Sequence, residues 1–231
     1  MTKILLNDFI EVEYTGKFAD GTIFDTTNQE VAQKNNIFSP EMKNKPVIIC
    51  VGEKQLILGL DDALLGKEVG KEYTIDLKPE EAFGKRDIKK IRLVPLAEFK
   101  KRRIDPRPGM QIDMDGEVGI IKNASGGRII VNFNHPFSGK EVVYEIKINK
   151  KITDKKEKLT SYLEISLNSD NFKTDIKDDK ATISLPVELP EIVQEEFSKK
   201  LKEIIGLKDI VFKKAGETQQ SPVKTSTTPK Q

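Results

Sequence analysis

The chain contains one cysteine and one histidine, so thiol chemistry and histidine-based catalysis have one candidate residue each. Cys50 lies in the apolar run of residues 47–51, which is typical of a core thiol rather than a nucleophile. His135 precedes Pro136, and the sequence offers it no network of partners for general-base catalysis. A lone cysteine rules out an internal disulfide, and a lone histidine excludes a histidine-cluster metal site. We therefore predict no redox chemistry, no bound metal and no other cofactor.

Aromatic and aliphatic residues near one carboxylate form a second group, which could build an apolar cavity. Phe24 lies beside Asp25. Farther along, three aliphatic residues have the spacing of one helix face: Leu56, Ile57 and Leu60. A carboxylate at the rim of such a cavity would orient polar groups. Residue types alone favour a plainer interpretation, in which the apolar side chains belong to the core and Asp25 caps a loop.

The apolar spacing also predicts the elements that hold these side chains. Alternation over residues 9–14 and 22–25, joined by the turn Asp20-Gly21, predicts an opening β-hairpin. Residues 28–45 are polar and predict a loop with one short helix around residues 30–34. Further strands are predicted at residues 47–51, 72–77 and 141–152, and a helix at residues 55–65 that ends at Gly66.

An interval between the strands at residues 72–77 and 141–152 interrupts this pattern. It covers residues 86–134 and carries more Lys and Arg than Asp and Glu, in a chain that has 39 Lys+Arg against 37 Asp+Glu overall. Glycine and proline turns separate its own strand signals, which lie at residues 88–94, 111–114, 117–122 and 128–133. The interval therefore predicts a small, β-rich inserted domain.

A third unit follows a lysine-rich linker at residues 150–158. Alternation predicts strands at residues 163–167, 181–187 and 207–212. A helix is predicted between Pro190 and Gly206, with one apolar face made of Ile192, Val193, Phe197, Leu201, Ile204 and Ile205. Residues 214–231 are polar and too poor in apolar side chains to pack, so we predict a disordered tail.

Composition limits where the protein acts. The chain has 231 residues, of which 37% are hydrophobic, enough for one to three domains. It has no apolar run of the roughly 18 residues that a membrane span needs, and its first ten residues lack the features of a signal peptide. We therefore expect a cytoplasmic protein. A net charge of +2 gives the whole chain no strong preference for nucleic acid or acidic membranes.

Four segments of the chain resemble the FKBP-type prolyl isomerases. The first, residues 14–27, contains YTGK at residues 14–17 and DGTIFDTT at residues 20–27 and is similar to the start of that family. Val51-Gly52, residues 56–60 (LILGL) and Ala82-Phe83-Gly84 then fall where the family has its pocket wall, its pocket-floor helix and the loop over the bound proline. Each segment alone is a weak signal. Their occurrence in the family's order is specific.

A fifth segment is similar to the SlyD-type branch of that family. Residues 134–140 (NHPFSGK) resemble the segment by which the chain returns to the core after a domain inserted in the flap. The resemblance implies that residues 86–134 bind apolar segments of unfolded chains and pass their prolines to the pocket. It covers residues 1–152. The carboxyl-terminal unit shows only similarity to long archaeal members, and the tail lacks the His- and Cys-rich metal-binding character common in the branch.

The resemblance implies that an apolar pocket is the catalytic device. Rotation about a peptide bond has a barrier of roughly 18–20 kcal/mol because resonance is lost, so X-Pro isomerisation takes tens of seconds. The planar amide is more polar than the twisted transition state, so an apolar pocket disfavours the ground state more. The family's pocket positions are occupied here by Tyr14, Phe24, Asp25, Val47, Leu56, Ile57, Leu60, Phe83 and Tyr144.

The basic charge of the insert leaves its surface open to three interpretations, namely a solvated face, a nucleic-acid surface and a chaperone surface. Its aromatic residues, Phe99 and Phe133, do not form an RNA-stacking pattern. The predicted partners are therefore unfolded or partly folded proteins with X-Pro bonds, and we expect no binding to membranes or nucleic acid. Two alternatives remain open: a pure holdase with a vestigial pocket, and a ribosome- or RNA-associated factor.

These patterns together predict an α+β protein. An FKBP-type antiparallel sheet wraps around a short helix, a β-rich domain is inserted, and a small carboxyl-terminal α+β domain follows. The predicted isomerase domain combines residues 1–85 with the return strand at residues 135–152. The insert-in-flap chaperone domain covers residues 86–134, the carboxyl-terminal domain residues 153–213, and the tail residues 214–231.

The carboxyl-terminal unit also predicts a homodimer. It is near the lower size limit for an independently stable core, so we expect it to pack against a second surface. Its strands at residues 181–187 and 207–212 carry few charges that would protect a sheet edge. The alternative is that its own strands fully cover the apolar face of the helix.

Overall fold

The computed structural model of the chain describes residues 2–38 and 45–214. Residues 39–44 of the predicted loop and residues 215–231 of the predicted tail lie outside the described residues. The strands, in chain order, are β1 (Phe9–Phe18), β2 (Ile23–Thr26), β3 (Val47–Cys50), β4 (Glu72–Leu77), β5 (Ile91–Pro95), β6 (Gln111–Met114), β7 (Glu117–Ser125), β8 (Arg128–Asn132), β9 (Val142–Ile152), β10 (Lys173–Lys177), β11 (Lys180–Leu185) and β12 (Asp209–Lys214).

Five α-helices lie among these strands in the described part of the chain. They are α1 (Gln29–Lys34), α2 (Leu58–Leu64), α3 (Leu96–Lys101), α4 (Lys155–Leu167) and α5 (Glu191–Ile205), and two 3-10 helices cover Pro79–Glu81 and Ile88–Lys90. The α+β class is therefore confirmed. No helix of the described residues is long and apolar enough to cross a membrane.

The first sheet contains five antiparallel strands in the order β2-β1-β9-β4, with β3 also paired to β1. The predicted hairpin forms, and Gly21 in its turn has a φ of +85°, which favours glycine. Strand β9 pairs with the whole of β1, from Phe9 opposite Ile152 to Phe18 opposite Val142. Because β9 follows the insert in sequence, the sheet is completed only when the chain returns from the insert.

Helix α2 packs against one face of this sheet. The sequence predicts helix over residues 55–65, and it forms from Leu58 to Leu64 before Gly66. Leu60 and Leu64 lie one turn apart and are fully buried in a core shared with β1, β3, β4 and β9. The helix is therefore fixed by its apolar face.

The insert forms a four-stranded antiparallel sheet in the order β5-β8-β7-β6. Its buried residues form a cluster of their own, made of Val94, Phe99, Ile112, Ile121, Ile129, Val131 and Phe133. The predicted strand at residues 88–94 instead begins with a 3-10 turn and continues as β5. Helix α3, which buries Phe99, was not predicted, because six residues are too few to show a helical period.

The predicted strand at residues 163–167 is wrong, because these residues lie in α4. Asp154 caps this helix by accepting a hydrogen bond from the backbone N–H of Glu157 at 2.8 Å. Leu159 and Leu163, one turn apart, are fully buried. The spacing of four residues between Leu159 and Leu163 defines the buried face of the helix. The alternating residues from Leu163 to Leu167 lie in its last turn. The lysine-rich residues 150–158 form the end of β9 and the start of α4 rather than a linker.

The carboxyl-terminal sheet has the order β10-β11-β12. Strand β11 is central, so the expectation that residues 181–187 leave a free edge is wrong. Strand β12 is parallel to β11 and lies at the edge of the three strands, and Lys214, assigned to the tail from sequence, is its last residue. The hairpin strand β10 was not predicted, because three of its five residues are charged.

The carboxyl-terminal unit and the first sheet share one hydrophobic core. Phe9, Cys50 and Ile152 from the sheet pack with residues of α4, α5 and β11, all of them buried. The neighbouring residues Phe9 and Ile10 of β1 therefore pack on opposite faces of the sheet, since Ile10 belongs to the core around α2. The carboxyl-terminal unit covers the second face of the first sheet.

Candidate active site

Eight of the nine predicted pocket residues belong to one hydrophobic cluster, and the ninth, Asp25, is hydrogen-bonded to a member of it. Separate elements bring them together: Tyr14 comes from β1, Phe24 and Asp25 from β2, Val47 from β3, Leu60 from α2, Tyr144 from β9, and Leu56, Ile57 and Phe83 from loops. Leu60 and Tyr144 are buried, and the others of the cluster are partly buried. The structure thus assembles residues that lie far apart in sequence.

Phe24 lies at the centre of an aromatic group. Its ring centroid is 4.6 Å from that of Phe18, 5.3 Å from Phe137, 5.7 Å from Phe83 and 5.9 Å from Tyr144. Most of these pairs are tilted or edge-on, an arrangement that aromatic quadrupoles favour. The rings form a rigid apolar wall.

Three residues of this wall were not among the predicted pocket residues: Phe18, His135 and Phe137. The rings of His135 and Phe83 are stacked with centroids 4.9 Å apart and an interplanar angle of 2°. Phe137 packs edge-on against Phe83 at 5.2 Å and against Phe18 at 4.9 Å. His135 and Phe137 belong to the return segment, which the sequence analysis treated as a connection. The presence of two rings, those of His135 and Phe137, within three residues is the sequence signal that could have indicated a contact with the aromatic wall.

Two threonines hold the Phe24-Asp25 strand beside Tyr14. The backbone N–H of Tyr14 donates to Thr27 Oγ1 at 2.9 Å, and the backbone N–H of Thr27 donates to the Tyr14 carbonyl at 3.0 Å. The hydroxyls of Thr15 and Thr26 lie 2.8 Å apart in a further hydrogen bond. The two sequence motifs at residues 14–17 and 20–27 therefore act as one structural unit.

Gly16 allows a close approach in the same region. A Cβ atom at this position would lie 2.8 Å from Phe24 Cζ and 3.0 Å from the ring of Tyr144. Contacts this short force neighbouring atoms to move. The absence of a side chain at Gly16 thus permits the packing of the two rings.

Asp25 is the carboxylate of this cluster. Burial raises its pKa, while hydrogen bonds from the Tyr14 hydroxyl and the Thr26 backbone N–H oppose the rise. Burial, followed by the charge of Asp25, raises the pKa of both Tyr14 and Tyr144. Both tyrosines therefore keep their protons at neutral pH, and the Tyr14 hydroxyl donates to Asp25.

A fully buried carboxylate, that of Asp61, shapes the loop before α2. Asp61 is 2% exposed and accepts hydrogen bonds from the backbone N–H groups of Gly52 at 3.0 Å and Lys54 at 2.9 Å. Gln55 Oε1 accepts from the backbone N–H of Cys50 at 2.7 Å. These bonds fix the segment that carries Leu56 and the pocket-floor helix. Sequence reasoning did not identify them.

Two chain segments connect the insert to the rest of the protein, one before β5 and one after β8. Asn134, in the second segment, is hydrogen-bonded to the first. Its Oδ1 accepts from the backbone N–H of Asp87 at 2.8 Å, and its Nδ2 donates to the Asp87 carbonyl at 2.8 Å. The amide thus pairs with the opposite connection as a backbone strand would. A backbone bond from Gly139 N–H to the Gly84 carbonyl, 2.8 Å long, adds a second tie.

Among residues 2–38 and 45–214, no group of three or more His, Cys, Asp and Glu side chains is arranged to hold a metal ion. Burial, with the nearby charges of Glu53 and Asp61, raises the pKa of Cys50 to about 12, so the thiol is not an ionised nucleophile. The prediction that the protein binds no metal stays a prediction.

Known proteins resemble the chain over the same regions. The family described as FKBP-type peptidyl-prolyl cis-trans isomerase matches residues 2–100, and the family described as FKBP26, IF domain, matches residues 92–137. The short-type peptidyl-prolyl cis-trans isomerase of Methanocaldococcus jannaschii is 35% identical over 141 residues, which cover 61% of this chain and 89% of that protein.

Two bacterial relatives show the same pattern. The FKBP-type 16 kDa peptidyl-prolyl cis-trans isomerase of Escherichia coli is 32% identical over 147 residues, covering 62% of this chain and 89% of that protein. The isomerase SlyD of Pasteurella multocida is 26% identical over 151 residues, covering 63% of this chain and 68% of that protein. Both family matches end by residue 137, so α4 and α5 lie outside them.

Proposed function

The chain belongs to the FKBP-type peptidyl-prolyl cis-trans isomerase family and is an isomerase with an insert-in-flap domain, and we propose that it acts on folding proteins as both isomerase and chaperone. In this proposal the X-Pro bonds of unfolded or partly folded proteins are isomerised at the aromatic cluster. The insert and the carboxyl-terminal unit hold the same client chains.

The observation that supports this pocket is the convergence of aromatic rings on Phe24 beside the partly buried carboxylate of Asp25. Such a surface replaces the water around a bound amide, which disfavours the polar planar state relative to the twisted one. The wall residues and Phe24 would contact the proline ring. Asp25, held by Tyr14, would orient polar groups at the rim. No step requires proton transfer, which agrees with the protonated tyrosines.

Exposed apolar side chains on the insert support the chaperone part of the proposal. Leu93 is 56% exposed, Val118 is 54% exposed and Met110 is 40% exposed, although the insert has a complete core of its own. Exposed apolar side chains mark a surface that binds other chains where they form a patch, and these three are the candidates for such a patch on the insert. Clients held there would raise the effective concentration of proline at the pocket.

The two alternative functions left open by the sequence are each less well supported than an isomerase and chaperone. A pure holdase does not agree with the family membership. An RNA-associated factor would need free basic charge, and four of the eleven Lys and Arg side chains of residues 86–134 are paired within the insert: Arg92 with Glu117, Lys101 with Glu98, Arg102 with Asp115 and Arg107 with Asp105. Salt-sensitive binding to nucleic acid would favour that alternative.

A refolding experiment tests the proposed function. The full chain should accelerate both the isomerisation of a short proline peptide and the proline-limited refolding of a protein client. A variant without residues 86–134, closed by a short loop, should keep the peptide activity because the insert and the pocket have separate cores. It should lose most of the refolding activity. Equal refolding activity in the two proteins would contradict the chaperone role of the insert.

The homodimer and the cytoplasmic location are parts of the same proposal. Ile192 on α5 is 72% exposed and Val187 is 63% exposed, which supports an apolar contact between two carboxyl-terminal units. Light scattering should give a dimer mass for the full chain and a lower mass for Ile192→Asp. A monomer mass for the unmodified chain would end the dimer proposal. Fractionation of cells would test the location.

A further inference from the structure

The loop between β3 and α2 makes polar contacts with the carboxyl-terminal unit through one side chain, Glu53. Its carboxylate accepts a hydrogen bond from Lys200 Nζ of α5 at 2.9 Å and one from the Tyr162 hydroxyl of α4 at 3.2 Å. The side chain of Glu53 is only 13% exposed. Two helices outside both family matches thus converge on one residue beside the isomerase pocket.

The electrostatics of these three residues agree with a stable contact. The hydrogen bond to Glu53 is the main cause that raises the pKa of Lys200, so the ammonium group stays charged. Burial, and then the charge of Glu53, raises the pKa of Tyr162 to about 12, so its hydroxyl stays a donor. Glu53 therefore has two donors across the neutral pH range.

The backbone of the same loop adopts a conformation that needs support. Gly52 has a φ of +94° and Lys54 a φ of +54°. The second value costs energy for a residue with a side chain, because Cβ approaches the backbone in the left-handed region. Asp61 holds both residues from the α2 side, while Glu53 between them is held from the side of α4 and α5.

The loop leads directly into the floor of the pocket. Leu56 and Ile57 follow Glu53 by three and four residues, and both pack in the pocket cluster. The backbone carbonyl of Ile57 accepts from the N–H of Leu60 at 3.0 Å at the start of α2. A shift of Glu53 would therefore move the side chains that a bound proline would contact.

We propose that Glu53, Tyr162 and Lys200 form a latch through which the carboxyl-terminal unit positions the floor of the isomerase pocket. Glu53 is then a positioning residue, since it contacts neither the aromatic wall nor a substrate. This inference rests on the pocket proposed above. It gives α4 and α5 a role in the isomerase reaction that is separate from holding clients and from dimerisation.

Point variants in the full chain test the latch. Lys200→Met keeps most of the apolar stem and removes the donor, Glu53→Gln removes the charge of the acceptor, and Lys200→Arg keeps a cation. Lys199→Met is the matched control, because Lys199 is an exposed neighbour on α5. The measurements are kcat/KM for a short proline peptide at 25 °C and the Tm of each variant.

We expect Lys200→Met and Glu53→Gln to lower kcat/KM by roughly two- to thirtyfold, the range in which residues away from a site alter it. The double variant should lose no more than the larger single loss, because both changes break one contact. Lys200→Arg should restore most of the activity, and Lys199→Met should have the activity of the unmodified chain.

Two results would overturn the latch. In the first, Lys200→Met lowers the Tm while kcat/KM of the folded protein stays unchanged, which would make the contact purely structural. In the second, the losses of the two single variants add fully in the double variant. Inactivity of the unmodified chain toward proline peptides would instead contradict the proposed function, so the two failures are distinguishable.

Discussion

Phe24 contacts four aromatic rings, and its position between β1, β9 and the return segment makes it the residue on which the wall depends. Ring pairs of this kind contribute about 0.5–1.5 kcal/mol each beyond the burial of their area. Removal of one ring would therefore loosen several elements at the same point. Effects on catalysis and on stability must be measured separately.

Phe24→Ala should lower kcat/KM for a proline peptide by about ten- to a hundredfold, or about 1.4–2.7 kcal/mol of activation free energy. The reason is that the variant opens the apolar wall to water. Phe212→Ala is the matched control, because Phe212 is a partly buried phenylalanine of the carboxyl-terminal core. It should lower the Tm while the folded protein keeps its activity. Unchanged activity in folded Phe24→Ala would remove Phe24 from the site.

Asp25 should make the stability of the protein depend on pH. Because burial raises its pKa above the ordinary value of 3.8, the ionised form is less favourable in the folded chain than in the unfolded chain. Stability from this group is fully present below the unfolded-state pKa and is lost as the pH rises through the raised folded-state pKa. Asp25→Asn should therefore gain Tm at pH 7 relative to the unmodified chain.

The gain should shrink as the pH falls and disappear below the ordinary pKa of 3.8, where the wild-type carboxyl group is protonated in both states. Thermal unfolding of the two proteins at a series of pH values measures this difference. A Tm difference that is constant with pH would show that Asp25 ionises equally in the folded and unfolded chains.

At the scale of elements, the two segments that connect the insert to the first sheet are hydrogen-bonded to each other, and they also supply residues of the aromatic wall. Asn134 pairs with Asp87 across the two connections, and His135 and Phe137 follow it directly into the aromatic wall. Residues 134–137 thus influence both the orientation of the insert and the geometry of the aromatic wall. Client chains held by the insert would reach the pocket along this segment.

Asn134→Ala should reduce the refolding of a protein client more than it reduces the turnover of a short peptide. It removes two hydrogen bonds to the backbone of Asp87, each worth about 0.5–1.5 kcal/mol net. The direction of the insert is then less well defined, while the contacts of the wall persist. Asn123→Ala, at an exposed position of the insert, is the control. Equal reduction of both activities would argue against a role in direction.

At the scale of the whole molecule, the carboxyl-terminal unit is part of the isomerase core. It was expected to seek a partner surface because of its small size, and the structure shows that Phe9, Cys50 and Ile152 of the isomerase sheet provide one. The insert differs, since its buried cluster contains none of these residues. We therefore expect two cooperative units among the described residues rather than three.

Leu163→Ala should lower the stability of the isomerase sheet, although Leu163 belongs to α4. Leucine truncations at buried sites cost about 2–5 kcal/mol, and this residue is fully buried in the shared core. Hydrogen exchange of the β1 amides would measure the effect. Ile129→Ala, at a buried position of the insert, should leave β1 exchange unchanged. Protected β1 amides in Leu163→Ala would indicate that the two parts unfold independently.

The amino-acid sequence by itself determined the opening hairpin, strand β4, helix α5 and the position of the insert. These features depend on local signals: alternation, a turn glycine, a proline at a helix start and a glycine after its end. The order of the motifs also carried the family resemblance, and that resemblance supplied the residues of the proposed site. The insert was evident because residues 86–134, between β4 and β9, have their own strand and turn signals and interrupt the alternation of the first sheet.

Only the tertiary structure decided which faces meet. Residues 163–167 alternate like a strand, but burial of Leu159 and Leu163 on one face makes them helical, and that burial depends on a distant sheet. The rings of His135 and Phe137 reach the pocket because the connections to the insert cross there. Glu53 finds Tyr162 and Lys200 more than a hundred residues away in sequence. Such contacts form between surfaces, and no local pattern encodes which surfaces come together.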